Sequence, residues 1–210
     1  DEGLIQAFND GEDLHRFVGS RIFGVEPADV TAEMRTKVKA MSYGLAYGLS
    51  AFGLSKQLRI ETSEAKALMT DYFARFGAVR DYLRNVVEQA RVDGYTTTIF
   101  GRRRPFGDLN SKNRVLRDNA ERQALNSPIQ GSAADILKRA MLQIDADIRS
   151  EGLQSRMLLQ VHDELVFEIA GGELERMTTL VHERMSGAAS LTVPLDVQIG
   201  TGHNWDAAAH

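Results

Sequence analysis

Four side chains that could bind a nucleotide recur at every fourth position between residues 35 and 47. They are Arg35, Lys39, Tyr43 and Tyr47. Residues four apart lie on the same face of a helix, so two cations would be followed along one edge by two aromatic rings. Adjacent cations suit a run of phosphates, and a ring suits stacking on a sugar or base. The spacing indicates a helix beside a nucleoside polyphosphate, although an amphipathic helix with solvated cations and half-buried tyrosines has the same spacing.

Two glycines accompany these tyrosines, in the pairs Tyr43-Gly44 and Tyr47-Gly48. A glycine inside a helix costs about 1 kcal/mol relative to alanine. Two of them near one helix end suggest that another body approaches the helix closely.

A second candidate site is the acidic sequence His162-Asp163-Glu164, which lies between two runs of β-forming residues. These runs predict a hairpin over residues 156–169. A carboxylate held at its tip could bind Mg²⁺, which prefers oxygen ligands and lowers the charge cost at the reacting oxygens in phosphoryl transfer. An exposed turn that merely favours aspartate is the alternative. A transition-metal or hydrolase site would need further ligands nearby, and the sequence offers none at suitable spacing.

Basic and amide side chains concentrate in the middle of the chain. Residues 95–139 hold nine Lys and Arg against four Asp and Glu, whereas residues 140–210 hold four against eleven. The basic segment includes Arg102, Arg103 and Arg104, and then Arg122, Asn126 and Gln130 at four-residue spacing. Arginine suits the DNA backbone, and amides pair with base edges. For the three arginines this pattern favours contact with DNA over a solvated basic loop, whereas a capped helix junction remains the alternative for Arg122, Asn126 and Gln130.

Apolar periodicity predicts the elements that position these residues. The chain up to Gly94 is expected to be mainly helical, with Thr31 as the N-cap of the helix that carries Arg35. A helix from residue 119 is expected to stop at Pro128, and another is expected over residues 129–151. A helix over residues 173–186 and a strand over residues 193–199 complete the prediction. The 210 residues are 43% hydrophobic and contain no cysteine, which allows a real core but no disulfide.

The combined motifs resemble those of family A DNA polymerases, the bacterial polymerase I type. Arg35, Lys39, Tyr43, Gly44 and Gly48 match the family's fingers-helix motif, and Val161-His162-Asp163-Glu164 is similar to its palm hairpin. The similarity extends along the whole chain. It implies an α+β architecture, with a mainly helical fingers subdomain over residues 1–94. Residues 95–210 would form a palm portion with an antiparallel sheet, DNA-contacting helices and the catalytic hairpin 156–169.

The resemblance also implies roles for individual residues. The dNTP would be bound by His15, Arg35, Lys39, Tyr43 and Tyr47, with Tyr43 facing the sugar and Tyr47 the templating position. Template-primer DNA would be contacted by Arg102, Arg103, Arg104, Arg122, Asn126, Gln130 and His162. Asp163 would bind metal and would act in catalysis with Lys39 and Glu164. The complete active site would hold two Mg²⁺ ions.

A second catalytic carboxylate is expected to lie outside this chain. Two-metal transfer needs at least two carboxylates. The family supplies the other from a strand motif just upstream of Asp1, and residues 1–13 do not reproduce it. The start at Asp1 suggests a fragment that requires the rest of the palm, the thumb and any exonuclease domains of the parent chain. We expect the parent to extend a primer in replication or repair, and the 210 residues alone to be inactive.

The parent is expected to be a cytoplasmic, nucleoid-associated monomer with no membrane partner. No apolar run approaches the ~20 residues that span a bilayer. A non-catalytic nucleotide- or DNA-binding module and a metal-dependent hydrolase are the alternatives.

Overall fold

The computed structural model describes residues 1–46 and 48–208, without the side chain of Ala46. It divides into two compact units, Asp1–Gly131 and Ser132–His210. Helices predominate, and the strands form two antiparallel pairs, which confirms the predicted α+β class. The predicted boundary after residue 94 separates a fingers subdomain from a palm portion by function and not by packing. It stays a prediction.

The first unit begins with α-helices, continues through a small hairpin and ends within a long helix that starts at Arg114. The α-helices before the hairpin are α1 (Glu2–Asn9), α2 (Leu14–Phe23), α3 (Ala32–Ala46), α4 (Ala51–Leu58), α5 (Thr62–Arg75) and α6 (Gly77–Asp93). The N-cap prediction is confirmed, because Thr31 Oγ1 accepts a hydrogen bond from Met34 N at 3.2 Å. Gly94 ends α6 in the left-handed region, with φ 77°.

The core of this unit explains which face of α3 meets solvent. Val38, Met41 and Leu45 are buried in one cluster with residues from α2, α4 and α5. Their spacing of three and four residues forms a single apolar stripe. Arg35 and Lys39 lie off that stripe and are exposed. The apolar pattern of α3 therefore presents its cationic edge outward.

The hairpin consists of β1 (Tyr95–Thr97) and β2 (Arg103–Pro105), which pair antiparallel with Thr96 opposite Arg104. A small cluster formed by Ala90, Leu109, Ala120 and Ala124 lies in the same unit. It packs the end of α6 and the loop after β2 against the first turns of the helix that starts at Arg114.

The predicted helix break at Pro128 is wrong. Helix α7 runs over Arg114–Ser150, 37 residues, with Pro128 inside it. Proline removes one helical hydrogen bond and clashes with the preceding turn, at a cost of about 3 kcal/mol. Apolar side chains of α7 that are buried before and after Pro128 offset this cost. Ala124 belongs to one apolar cluster and Ile144 to another.

The second unit holds the remainder of α7, the hairpin β3 (Arg156–Val161) and β4 (Glu164–Glu168), and helices α8 (Leu174–Ser186) and α9 (Trp205–Ala208). Ile144 of α7 packs with Met177 and Leu180 of α8, and Phe167 of β4 contacts this cluster. Two ion pairs add to this packing, because Arg184 of α8 pairs with Asp147 of α7 and Arg176 pairs with Glu151 immediately after α7. The predicted hairpin over residues 156–169 is confirmed as an antiparallel pair, and its catalytic role stays a prediction.

The predicted final strand over residues 193–199 is wrong. Val193, Leu195 and Val197 are partly buried and the residues between them are exposed, as expected for an extended segment. A strand also needs a hydrogen-bonded neighbour, and in the described part of the chain β3 and β4 pair only with each other. None of the helices described is both long and apolar enough to cross a bilayer.

Candidate functional site

Asp13 brings the start of α2 to the cationic edge of α3. It is the N-cap of α2, and its Oδ1 accepts hydrogen bonds from His15 N at 3.0 Å and Arg16 N at 3.2 Å. Its Oδ2 accepts a hydrogen bond from Arg35 Nε at 3.0 Å. One carboxylate therefore orients a helix end and an arginine from another helix together.

The His15 imidazole lies within the field of both cations. Burial lowers its pKa and the charge of Arg35 lowers it further, Asp13 opposes them, and the charge of Lys39 adds the smallest lowering effect. The Tyr43 ring centroid is 6.1 Å from that of His15, and Tyr43 is 51% exposed. A neutral imidazole in this position can donate one N–H bond to an anion.

Asp13 itself stays ionised. Burial raises the pKa of its carboxyl, but the backbone bond from Arg16 and the bond and charge of Arg35 outweigh that effect and lower the pKa. The cluster of Asp13, His15, Arg35, Lys39 and Tyr43 is called the nucleotide-side cluster below. Tyr47, the fifth predicted nucleotide contact, lies outside the described residues.

The close approach suggested by the two glycines occurs within the chain. A Cβ on Gly44 would lie 2.8 Å from Leu49 Cδ2, and one on Gly48 would lie 2.9 Å from Leu125 Cδ1 and 3.5 Å from Arg122 Cγ. Gly48 also has φ 68°. The segment that follows α3 therefore packs on α7 beside Arg122.

The three consecutive arginines have different surroundings. Arg102 Nη2 donates to the Gly131 carbonyl at 3.1 Å. Arg104 donates from Nη1 to Ser127 Oγ at 2.8 Å and from Nη2 to Gln123 Oε1 at 2.9 Å. The Arg103 guanidinium carbon lies 4.7 Å from the centre of the Tyr95 ring. Two of the arginines contact α7, and the third lies over an aromatic ring of its own hairpin.

A cavity of about 220 Å³ opens between this hairpin and α7. Its lining is polar and is formed by Thr96, Thr97, Thr98, Arg102, Arg104, Ser127, Gln130 and Gly131. Gln130 and Arg122 are exposed, whereas Asn126 is half-buried. Within the ranges described, no donor reaches the buried Asn126 Oδ1. The predicted DNA-contacting residues of this unit thus gather along α7 and the hairpin that contacts it.

The tip of the second hairpin consists of His162 and Asp163, because Val161 pairs with Glu164 on the flanking strands. His162 has φ 53°, a left-handed conformation that is uncommon outside glycine. Asp163 is exposed and Glu164 is half-buried. The turn thus places the Asp163 backbone at the end of the two strands, with its side chain open to solvent.

The donor chemistry of Asp163 fits a hard divalent cation. Its carboxylate oxygens are the ligands that Mg²⁺ prefers, and the turn exposes them. The described residues contain no group of three His, Cys, Asp or Glu that could hold a metal ion. Asp163 therefore fits a metal site as one ligand of a larger set.

Comparison with known proteins identifies the family. A family model described as DNA polymerase family A matches residues 1–207. The chain belongs to this family. DNA polymerase I of Mycobacterium tuberculosis is 65% identical over 210 residues, which are 100% of this chain and 23% of that protein. DNA polymerase I of Streptococcus pneumoniae is 50% identical over 206 residues, 98% of this chain and 24% of that protein.

A solved family A structure has the same fold. The POL domain of Pol1 from M. smegmatis, in complex with DNA primer-template and dNTP, matches with a TM-score of 0.96 and 62% sequence identity. The match covers 100% of this chain and 37% of that chain. Our chain spans about a quarter of the length of the curated relatives described above.

Family membership confirms the resemblance that was based on two short motifs. The roles of the individual residues stay predictions. The structure groups His15, Arg35, Lys39 and Tyr43 as expected and adds Asp13, which the sequence analysis did not select. Its position immediately before Leu14, at the start of an apolar periodic run, was the available signal for an N-cap.

Proposed function

We propose that this segment provides the incoming-nucleotide side and part of the metal and DNA contacts of a template-directed DNA polymerase. In the reaction, a primer 3′-hydroxyl attacks the α-phosphate of a dNTP and pyrophosphate leaves. The observation that carries the proposal is the nucleotide-side cluster, in which two cations and a lowered-pKa histidine adjoin an exposed tyrosine. The names of the relatives, and the primer-template and dNTP in the related structure, support it.

Arg35, Lys39 and His15 would bind the triphosphate. The guanidinium can form paired bonds with phosphate oxygens, and the Lys39 ammonium is a compact charge. Charge accumulates on the leaving pyrophosphate as the reaction proceeds. A cation already positioned beside it stabilises that charge without reorganising, which is the catalytic role we assign to Lys39.

Tyr43 and Tyr47 would contact the far end of the nucleotide. The exposed ring of Tyr43 lies beside His15, so a sugar could pack on it while the phosphates reach the cations. Tyr47 would face the templating base by resemblance to the family.

Primer-template DNA would lie along the basic hairpin and α7. The exposed guanidinium groups of Arg103 and Arg122 suit backbone phosphates, and Gln130 suits base edges in the minor groove. The sequence also predicts contacts from Arg102, Arg104, Asn126 and His162, with His162 at the primer-terminal nucleotide.

Asp163 would hold Mg²⁺, with Glu164 as a supporting acid. The bound ion would neutralise phosphate charge and lower the barrier to attack. The chain's own contribution is to keep the Asp163 carboxylate at the end of a rigid two-strand support. We place this activity in the cytoplasm, at the nucleoid, in a monomeric protein.

Primer extension by the full-length protein tests the proposal. We expect Asp163→Asn to lower extension by about 100-fold or more, because a neutral amide binds Mg²⁺ poorly. Asp196→Asn is the matched control, since Asp196 is an exposed carboxylate of the same unit. Unchanged extension in Asp163→Asn would refute the metal role, and absence of extension in the wild-type protein would refute the polymerase assignment.

The 210-residue chain alone is expected to bind nucleotide without extending a primer. Nucleotidyl transfer needs bound metal ions, and the described residues contain no group of three His, Cys, Asp or Glu that could hold one. Extension by the isolated chain would overturn this expectation. Metal-dependent hydrolysis that Asp163→Ala abolishes, without dNTP affinity, would instead support the hydrolase alternative.

A further inference from the structure

The consecutive arginines of the β1–β2 hairpin divide into two groups. Side chains along a strand alternate between faces, so Arg102 and Arg104 share a side and Arg103 points the other way. The contacts agree with this alternation, because Arg102 and Arg104 bond to α7 whereas Arg103 lies over Tyr95.

The two α7 contacts lie on opposite sides of Pro128. Arg104 bonds to Ser127 Oγ and Gln123 Oε1 before the proline, and Arg102 bonds to the Gly131 carbonyl after it. Ser127 Oγ also donates to the Gln123 carbonyl at 2.7 Å. The Ser127 hydroxyl thus joins the arginine to the helix backbone at the turn that Pro128 weakens.

The turn that carries Arg102 is itself held rigidly. Thr98 Oγ1 accepts hydrogen bonds from Phe100 N at 3.3 Å and Arg102 N at 3.1 Å, and Thr98 N donates to the Arg102 carbonyl at 2.9 Å. A Cβ on Gly131 would lie 2.8 Å from Thr98 Cγ2. The hairpin therefore approaches α7 so closely that glycine is needed at the contact.

Gln130 lies between the two points of attachment. Pro128 has no backbone N–H to donate, so α7 lacks one of its internal hydrogen bonds at this turn. Gln130 lines the same cavity as Arg102, Arg104 and Ser127. The direction in which the Gln130 side chain points therefore depends on how α7 is held at Ser127 and Gly131.

We propose that Arg102 and Arg104 are positioning residues that fasten α7 around Pro128 and set the direction of Gln130, while Arg103 alone of the three binds a DNA phosphate. This proposal depends on the proposed function in one respect, which is that Gln130 contacts DNA. A lysine cannot replace Arg104, because one ammonium cannot reproduce the two-pronged bond to Ser127 and Gln123.

Charge-conserving variants of the full-length protein test the positioning role. We expect Arg102→Lys and Arg104→Lys each to lower kcat/KM for primer extension about tenfold. Arg149→Lys, the matched control, is expected to stay within about twofold, because Arg149 is an exposed arginine at the end of α7 that pairs with Asp145. An equal loss in Arg149→Lys would overturn the positioning role.

The salt dependence of primer-template binding gives a second readout. Loss of one phosphate contact lowers the slope of log K against log salt by about 0.9. We expect that change in Arg103→Ala and an unchanged slope in Arg102→Ala and Arg104→Ala. A lowered slope in Arg102→Ala or Arg104→Ala, or an unchanged one in Arg103→Ala, contradicts the proposal.

A double-mutant cycle tests whether Arg104 acts through Gln130. Gln130→Ala should weaken primer-template binding in the wild-type background and have at least about threefold less effect in Arg104→Lys. Independent effects that simply multiply would rule out positioning. Ser127→Ala removes one of the two acceptors of Arg104 and should change the effect of Gln130→Ala in the same direction as Arg104→Lys does.

Hydrogen exchange without DNA separates failure of this proposal from failure of the polymerase assignment. Amides of residues 126–132 should exchange at least about fivefold faster in Arg102→Lys and Arg104→Lys, and at the wild-type rate in Arg103→Lys. Unchanged exchange in the first two variants would refute the fastening role. A wild-type protein that binds no primer-template would refute the function of Gln130 while the exchange result still stands.

Discussion

Arg35 Nε donates a 3.0 Å hydrogen bond to Asp13 Oδ2, which joins two helices through residues 22 positions apart. The same carboxylate caps α2 and places His15 beside Arg35. The Arg35 side chain remains 45% exposed. A single acid therefore assembles the nucleotide-side cluster and leaves its main guanidinium open to a ligand.

Loss of Asp13 should destabilise the first unit. We expect Asp13→Ala to lower the free energy of unfolding by about 1 kcal/mol, since it removes the N-cap of α2. Asp13→Asn should retain most of this stability, because asparagine caps helices as well as aspartate does. Urea unfolding of the full-length protein measures both. Equal stability of Asp13→Ala and the wild-type protein would show that the cap contributes nothing.

The histidine of the cluster should titrate below its ordinary range. Because burial, Arg35 and Lys39 lower the pKa of His15, its NMR titration midpoint should lie below 6.5. Lys39→Gln should raise that midpoint, whereas Lys66→Gln should leave it unchanged. A midpoint at or above 6.5 in the wild-type protein would contradict the cluster's electrostatics.

The same shift predicts how His15 affects stability. Between the lowered folded value and the unfolded value, the unfolded chain binds more protons. The contribution of His15 is therefore complete above about pH 6.5 and is lost as the pH falls through the folded pKa. Unfolding of His15→Gln should show a weaker decline in stability over that window than the wild-type protein shows.

Pro128 should be replaceable at a gain in stability. Pro128→Ala restores a helical N–H donor and removes the ring's clash, so we expect the free energy of unfolding to rise by about 1–3 kcal/mol. Chemical denaturation reports the change, with Pro194→Ala in the non-helical C-terminal segment as the control. Lower stability of Pro128→Ala would mean that α7 requires the proline geometry.

Local patterns were sufficient to predict most helices and both motifs. The spacing of Arg35, Lys39 and Tyr43 places them on one helix edge whatever the remaining fold, and the apolar runs around Asp163 indicate a hairpin. These predictions depend on contacts within a few residues, which sequence periodicity records directly.

The wrong and missing predictions depend on distant contacts. Pro128 stops a helix only where packing does not hold both flanks, and here Ala124 and Ile144 are both buried. The alternation of residues 193–199 predicts an extended segment but cannot supply the neighbouring strand. The bond between Asp13 and Arg35 arises from the packing of two helices, so neither local sequence reveals it.

Comparison of two lysines on α3 tests the central claim most directly. Lys39 lies on the edge with Arg35 and Tyr43, whereas Lys37 pairs with Glu33 and Glu64. Steady-state primer extension should show that Lys39→Ala lowers kcat/KM for dNTP about 10–100-fold, and that Lys37→Ala changes it less than about threefold. Equal effects of the two substitutions would mean that this edge of α3 does not bind the incoming nucleotide.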